Sequence, residues 1–381
     1  MPAMRHEARK DSDGDRTSMS IERAIELQEN AWGLQDKGQL GRAIAACEEV
    51  LHLVEQSEGR DSADFANVLN DLADMEFERK NIPRSMELAL HARAIMDSLD
   101  KDLRGEDAAR IRGKSLELLG IQRTALGDYP AAEIDLRQAI AIAASEFGHD
   151  SPEAALAKNN LGVLFKYSGQ FVEALELYHQ ALSFVPEGSP ESARIYHNIG
   201  GVLHAAGEFA AAEAPAEKAW LISSSLLGPD CPQTMIDEVA YAAVLDGLGR
   251  YQETDNIYTG ALRCFENYYG PDHYEVAATL HNLAAQRVER GMYVAAEHDY
   301  RRALALKESI LPANCPDVAQ TRYGLGSLLV LTGRSREAIH HLKEAVAILD
   351  RKLSPMHPLT LAASESLRRA LSASYSRIPG S

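Results

Sequence analysis

Small and apolar residues recur along this chain at the spacing of paired amphipathic helices. A glycine marks most periods, and Lys80 occupies the same slot in one of them: Gly38, Lys80, Gly127, Gly169, Gly207, Gly249, Gly291 and Gly333. Most steps between these positions are 42 residues, and the others are 47 and 38. A fixed period of this size predicts a solenoid, in which each unit buries its apolar face against its neighbours.

Two columns of alanine accompany this period. Alanine stands five residues after most of the marked positions and twelve residues after nearly all of them, as in Ala296 and Ala303 after Gly291. Seven residues are two helical turns, so both columns face the same side of one helix. We therefore predict close helix contacts at these alanines, and a left-handed helix end at each marked glycine.

A second recurring segment marks the start of the next helix. The copies include SPEAA, SPESA, CPQTM, CPDVA and HPLTL, whose prolines are Pro152, Pro190, Pro232, Pro316 and Pro358. Proline suits the first helical position, because its φ is fixed and its missing N–H would lack an intrahelical partner there. Ser151 and Ser189 are predicted N-caps, and Asp272 with Glu275 is predicted to replace the proline-based start in the copy YGPDHYE.

The composition limits the class of protein. The chain has 381 residues, 45% of them hydrophobic, and a formal net charge of −17. The charge disfavours a nucleic-acid partner, since phosphate binding needs a clustered positive face. No run is apolar enough to predict a membrane span. The four cysteines lie far apart and the first twenty residues lack a signal sequence, so we expect a cytoplasmic protein.

These residues resemble the tetratricopeptide repeat, in the long variant typified by kinesin light chain. The resemblance is carried by LHNLAAQRVERGMYVAAEHDYRRALALKE from Leu280 and KNNLGVLFKYSGQFVEALELYHQALSF from Lys158, with the turn described above. It implies an all-α fold, a right-handed α-solenoid of about eight antiparallel helix pairs with a C-terminal capping helix. It also implies that the first helix of each pair lines a concave groove. Kinesin transport does not follow, because no long heptad segment is present to pair with a heavy chain.

The predicted organisation has four parts. Residues 1–20 are expected to be a disordered tail, 21–104 divergent N-terminal repeats, 105–353 the main repeat array, and 354–381 a capping helix with a C-terminal tail. Pro215 falls inside the second helix of the 38-residue unit. An interior proline removes one helical hydrogen bond, so one interpretation is that this helix is kinked at Pro215.

No sequence motif predicts catalysis, a metal site or a cofactor. GKS at Gly113–Ser115 resembles the end of a phosphate-binding loop, but Ala108 stands where the pattern needs glycine, and no strand precedes it. His340 and His341 are adjacent, and neighbouring helical residues do not point at one metal ion. We therefore expect no enzyme activity, no cofactor and no metal.

The resemblance implies that the groove is lined by residues thirteen, ten, six and three positions before each marked residue. The polar, basic and aromatic side chains at these slots are Asn67, Asn70, Lys114, Asn159, Lys166, Arg194, His197, His204, His281, Gln320 and Tyr323. Each could equally be an ordinary solvated side chain. The slot nine positions before the marked residue holds asparagine in three repeats, at Asn160, Asn198 and Asn282. This recurrence indicates hydrogen bonding between helices.

These side chains suit an extended peptide. Amides offer donors and acceptors to a peptide backbone, and cations favour carboxylates. The leading hypothesis is a scaffold or adaptor that binds a protein or peptide, with acidic or C-terminal carboxylate groups favoured. A regulatory protein that responds to a peptide or small ligand is the alternative, and an enzyme is the third possibility.

Overall fold

A computed structural model describes residues 14–36, 38–99, 105–353 and 355–375. These ranges hold seventeen α-helices and no strand. The helices are α1 (Gly14–Asp36), α2 (Leu40–Ser57), α3 (Ala63–Glu78), α4 (Ile82–Ser98), α5 (Glu106–Leu126), α6 (Tyr129–Glu146), α7 (Pro152–Ser168), α8 (Phe171–Leu182), α9 (Pro190–Ala205), α10 (Phe209–Leu227), α11 (Pro232–Gly247), α12 (Tyr251–Tyr269), α13 (Tyr274–Glu289), α14 (Tyr293–Ile310), α15 (Pro316–Leu331), α16 (Ser335–Lys352) and α17 (Pro358–Tyr375).

The helices are arranged as eight consecutive pairs followed by α17, so the predicted all-α solenoid with a capping helix is confirmed. The predicted alanine columns are in the core: Ala132, Ala174, Ala261, Ala296 and Ala303 are all fully buried. Glycine serves the same close packing on the facing helices. A Cβ atom built on Gly120 would lie 2.5 Å from Cγ of Leu136, and one on Gly162 would lie 2.5 Å from Cε1 of Tyr178.

The marked glycines end the first helix of each pair in the left-handed conformation. Gly127, Gly249 and Gly333 have φ values of 72°, 77° and 81°, and Lys80 adopts φ 66° in the slot that lacks glycine. The following helix starts also agree with prediction. The hydroxyl oxygens of Ser151 and Ser189 accept hydrogen bonds from the backbone N–H groups of Ala154 and Ser192, each at 3.1 Å.

Two sequence expectations need correction. The predicted disordered tail ended at residue 20, but α1 begins at Gly14; residues 1–13 lie outside the described ranges. Asp272 is not the N-cap of α13, because Nδ1 of His273 accepts the hydrogen bond from the Glu275 N–H, at 3.3 Å. Pro215 lies inside the second helix of its unit, as predicted, and α10 extends on both sides of it from Phe209 to Leu227.

The chain divides into two compact units. The N-terminal unit comprises Met1–Leu161 and the C-terminal unit comprises Gly162–Ser381, so the division falls within α7. The sequence placed a boundary at residue 104, where the repeats become regular. That boundary is defined by the regularity of the repeats rather than by their packing, and it stays a prediction.

Candidate functional site

In the N-terminal unit, two of the predicted groove residues are core residues instead. Asn70 is fully buried: its Nδ2 donates to the Ile111 carbonyl at 3.0 Å, and its Oδ1 accepts from the Ser115 hydroxyl at 2.9 Å. Asn159 is only 2% exposed. A buried amide must find its partners inside the protein, so these two side chains stabilise helix packing and do not face a groove.

The other two predicted residues of this unit remain accessible to different degrees. Lys114 donates to Oδ1 of the buried Asp71 at 2.9 Å, and this carboxylate helps to raise the pKa of Lys114 although burial opposes the increase. Asn67 is half-buried on α3. The prediction for Asn160 is confirmed, since its Nδ2 bonds Glu117 on α5 at 2.9 Å. The Lys114 cation is therefore already committed to an internal partner.

In the C-terminal unit, Lys166 is a desolvated cation at the end of α7. Its Nζ lies against α9, where a Cβ atom built on Gly201 would be only 3.2 Å away, and 5.5 Å from the ring centroid of Tyr167. Burial lowers the pKa of Lys166, and the carboxylate of Asp317 opposes this effect. Glycine at position 201 thus leaves the space that the ammonium group occupies.

His204 is the neighbour of Lys166 among the predicted residues. Burial is the main cause that lowers the pKa of His204, and the positive charge of Lys166 adds to it. The imidazole also makes an edge contact with Phe209, with ring centroids 5.3 Å apart. Burial and the charge of Lys166 therefore both favour the neutral form of the His204 imidazole.

Arg194 and His197 lie on the same helix but do not join this pair. Arg194 is exposed near the start of α9, about 15 Å along the helix axis from His204, at 1.5 Å per residue. Nδ1 of His197 lies 2.7 Å from Oδ1 of the buried Asp237, which also accepts a hydrogen bond from Ser223. His197 thus links α9 to α11, and Arg194 is exposed to solvent.

The last three predicted residues lie on α13 and α15. Nδ1 of His281 is 3.2 Å from the Thr321 hydroxyl oxygen, and burial together with Lys307 lowers the pKa of His281 to about 3. Gln320 is exposed. Tyr323 is half-buried and lines an open cleft of about 340 Å³, together with side chains of α13, α14 and α17 such as Val288 and Arg369.

A polar centre around Asp317 was missed by the sequence analysis. The Tyr274 hydroxyl donates to Oδ2 of Asp317, and Nζ of Lys307, a side chain only 3% exposed, lies 3.6 Å from Oδ1. The negative charge of Asp317 also raises the pKa of Lys166, which lies near the start of the same unit in the sequence. No local signal indicates this group, because CPDVA reads only as a helix start.

Neither of the rejected motifs forms a chemical site. Gly113–Ser115 lies within α5, and the hydroxyl of Ser115 bonds the buried Asn70. Within the described ranges, no group of three His, Cys, Asp or Glu side chains could hold a metal ion. Among the described residues, no helix is both long enough and apolar enough to cross a membrane.

Comparison with protein families identifies the repeats. The tetratricopeptide repeat family matches residues 112–187, 238–309 and 275–351, and a second profile with the same description matches residues 192–232. Together these segments cover more than half of the chain. A clustered mitochondria protein homolog from Aspergillus terreus is 23% identical over 184 residues, which are 48% of this chain but only 14% of that protein.

Two of the solved structures to which this chain is similar are repeat proteins. Kinesin light chain TPR-like repeats from Podosopora anserina align with 22% identity and a TM-score of 0.40, over 50% of this chain and 90% of theirs. The Rap conjugation gene regulator of plasmid pLS20, in complex with the Phr* peptide, aligns with 16% identity and a TM-score of 0.63. That alignment covers 79% of this chain and 80% of the regulator.

Proposed function

The chain belongs to the tetratricopeptide repeat family and has the architecture of a protein-interaction scaffold, and we propose that it binds an extended peptide segment of a partner protein. The binding surface in this proposal is the face of the C-terminal unit that carries Lys166, His204 and Arg194. No catalytic step is part of the proposal, and its setting is the cytoplasm.

The observation that carries the proposal is the environment of Lys166. Removing a cation from water is costly unless an anion compensates it. Lys166 is half-buried, and burial lowers its pKa more than the carboxylate of Asp317 raises it, so Asp317 compensates the cation only in part. A carboxylate of the ligand placed beside Lys166 would complete the compensation. Charge-assisted hydrogen bonds of this kind are stronger than neutral ones, so we propose an acidic side chain or a C-terminal carboxylate as the anchor.

The remaining residues suit the rest of a peptide. The neutral form of His204 offers a donor or an acceptor to the peptide backbone, and Arg194 stands about 15 Å away along α9. An extended peptide of about five residues spans that distance. The proposed ligand therefore carries two acidic groups, one at each end of such a segment, with the buried one beside Lys166.

The test begins with selection of binders from a library of random nonapeptides with free carboxyl ends. The best peptide is then titrated calorimetrically into wild type, Lys166→Gln and Arg194→Gln. Loss of a charged hydrogen bond at Lys166 should weaken binding by about 1.5 to 3 kcal/mol, whereas loss of the exposed Arg194 should cost about 1 kcal/mol or less. Affinities that are equal for all three proteins would refute the proposed surface.

The same titration at two salt concentrations separates the two cations. Exposed charge pairs are screened over about 8 to 10 Å at physiological salt, and buried pairs are screened much less. The contribution of Arg194 should therefore decrease with salt, while that of Lys166 should persist. Lys343, an exposed residue of α16, provides the matched control: Lys343→Gln should leave the affinity unchanged at both salt concentrations.

A regulatory role is the second candidate, and it is supported by the whole-fold similarity to the Rap regulator in complex with a peptide. In this version, peptide binding changes the exposure of a surface for another protein. The peptide found above would then alter hydrogen exchange outside the Lys166 surface. Exchange that changes only at the contact residues would favour the plain scaffold.

A further inference from the structure

The C-terminal unit makes a contact between residues that are far apart in its repeat order. The turn between α7 and α8 meets the turn that starts α17. A Cβ atom built on Gly169 would lie 3.0 Å from Cδ2 of His357, and the rings of Phe171 and His357 meet edge to face with centroids 6.0 Å apart. In a simple stack each repeat contacts its neighbours, so a contact between these turns is additional to the stacking.

Gly169 differs from three other glycines that end first helices. Gly207, Gly249 and Gly291 have nothing within 4 Å of a built Cβ, whereas at Gly169 this space is occupied by His357. His357 is itself held in place, because its Nδ1 accepts a hydrogen bond from the Leu359 N–H at 3.1 Å. The contact is therefore made by a ring in a defined orientation.

The contact lies next to the proposed binding surface. Lys166 precedes Gly169 by three residues, and the Tyr167 ring between them is near the Lys166 ammonium group. The carboxylate of Asp317, at the start of α15, also raises the pKa of Lys166 against the effect of burial. The contact between the two turns therefore lies one helical turn along the chain from the cation that the proposed ligand would have to reach.

We propose that Gly169, Phe171 and His357 form a clasp that closes the C-terminal unit and must open before a ligand reaches Lys166. The clasp consists of one ring between a glycine and a second ring, which is a small contact compared with a helix interface. Such a contact is worth about as much as one aromatic pair, so it can break without unfolding the repeats. The clasp rests on the proposed function only for the identity of the ligand.

The test measures access without any ligand. Cys231, Cys264 and Cys315 are replaced by serine, and His204→Cys places one reactive thiol beside Lys166, leaving Cys47, which is fully buried. The rate of reaction with a bulky fluorescein maleimide is divided by the rate with N-ethylmaleimide. The ratio reports the width of the entrance, because a change in the thiol pKa affects both reagents equally.

Two variants open the clasp in different ways. Gly169→Ala places a methyl group against His357, and His357→Ser removes the ring but keeps a residue that can cap α17, as Ser151 and Ser189 cap α7 and α9. Each should raise the rate ratio about three- to tenfold, the change expected when one aromatic contact is lost. The double variant should match the single variants, since both break the same contact.

Gly249→Ala is the matched control, because Gly249 has the same left-handed conformation and no atom within 4 Å of a built Cβ. It should leave the ratio unchanged. A ratio unaffected by Gly169→Ala and His357→Ser, or raised equally by Gly249→Ala, would overturn the clasp. Neither result bears on the peptide titrations, so the clasp and the proposed function can fail separately.

Discussion

Three glycines of the α11–α12 pair should respond to alanine in three different ways. Gly249 lies between the helices with φ 77° and open space around it, Gly260 lies within α12 with open space around it, and Gly247 ends α11 against the Phe209 ring. The substitution adds the same methyl group each time. Differences between the variants therefore report backbone conformation and packing separately.

The expected changes follow from these environments. Gly260→Ala should raise the free energy of unfolding by about 0.5 to 1 kcal/mol, because alanine loses less backbone entropy in a helix. Gly249→Ala should lower it by about 1 to 2 kcal/mol, because a side chain clashes with its own backbone in the left-handed region. Gly247→Ala should lower it by up to about 3 kcal/mol unless the half-buried Phe209 ring moves aside.

Urea unfolding followed by circular dichroism measures the three changes. The urea midpoints should decrease in the order Gly260→Ala, wild type, Gly249→Ala. The dependence of the unfolding free energy on urea concentration should be equal for all of them, since none of the substitutions changes the surface exposed on unfolding. Native-state hydrogen exchange in α11 and α12 supplies a local value if the repeats do not unfold together. A Gly249→Ala protein as stable as wild type would refute the assignment of a strained helix end at this position.

Two further predictions concern the core and the buried imidazole. Ala303→Leu should lower the free energy of unfolding by about 1 to 3 kcal/mol, because Ala303 is fully buried. The control Val294→Leu changes a residue of the same helix that is 88% exposed, and it should not shift the urea midpoint. Equal midpoints for the two variants would contradict the packing. The pKa of His281 is about 3 in the folded state and about 6.5 in the unfolded chain. Between these pH values the unfolded chain therefore binds more protons than the folded protein. The stability of the folded protein that is present above pH 6.5 is lost as the pH falls through this range. His281→Gln should reduce the loss of stability between pH 7 and pH 5, measured by urea unfolding at both values, and an unchanged loss would show that His281 is not desolvated.

The repeat architecture could be determined from the sequence because its signals are local. Glycine at a helix end, proline at a helix start and alanine at a two-turn spacing each act through the backbone or through the adjacent helix. The left-handed φ of Gly127 and the N-cap bond of Ser189 are therefore as predicted. Even Lys80, which interrupts the glycine pattern, keeps the conformation that its slot requires.

Tertiary structure decided which polar residues are available to a ligand. Slot counting placed Asn70, Lys114 and Lys166 on one face. Asn70 is bonded inside the core and Lys114 is paired with Asp71, whereas burial lowers the pKa of Lys166 against the opposing effect of Asp317. The position of a residue in the repeat fixes only approximately the direction in which its side chain points. The group that this side chain meets depends on the next helix. A single carboxylate on that helix can pair with a cation, and the cation is then part of the protein's own packing.

The same distinction applies to the contacts between distant parts of the chain. HPLTL predicts that a helix begins at Pro358, and α17 does begin there. Nothing in that segment indicates that His357 meets Gly169 and Phe171, or that Asp317 acts on Lys166. Small rotations from one repeat to the next add up along the stack, so the residues that finally meet are set by every interface between them.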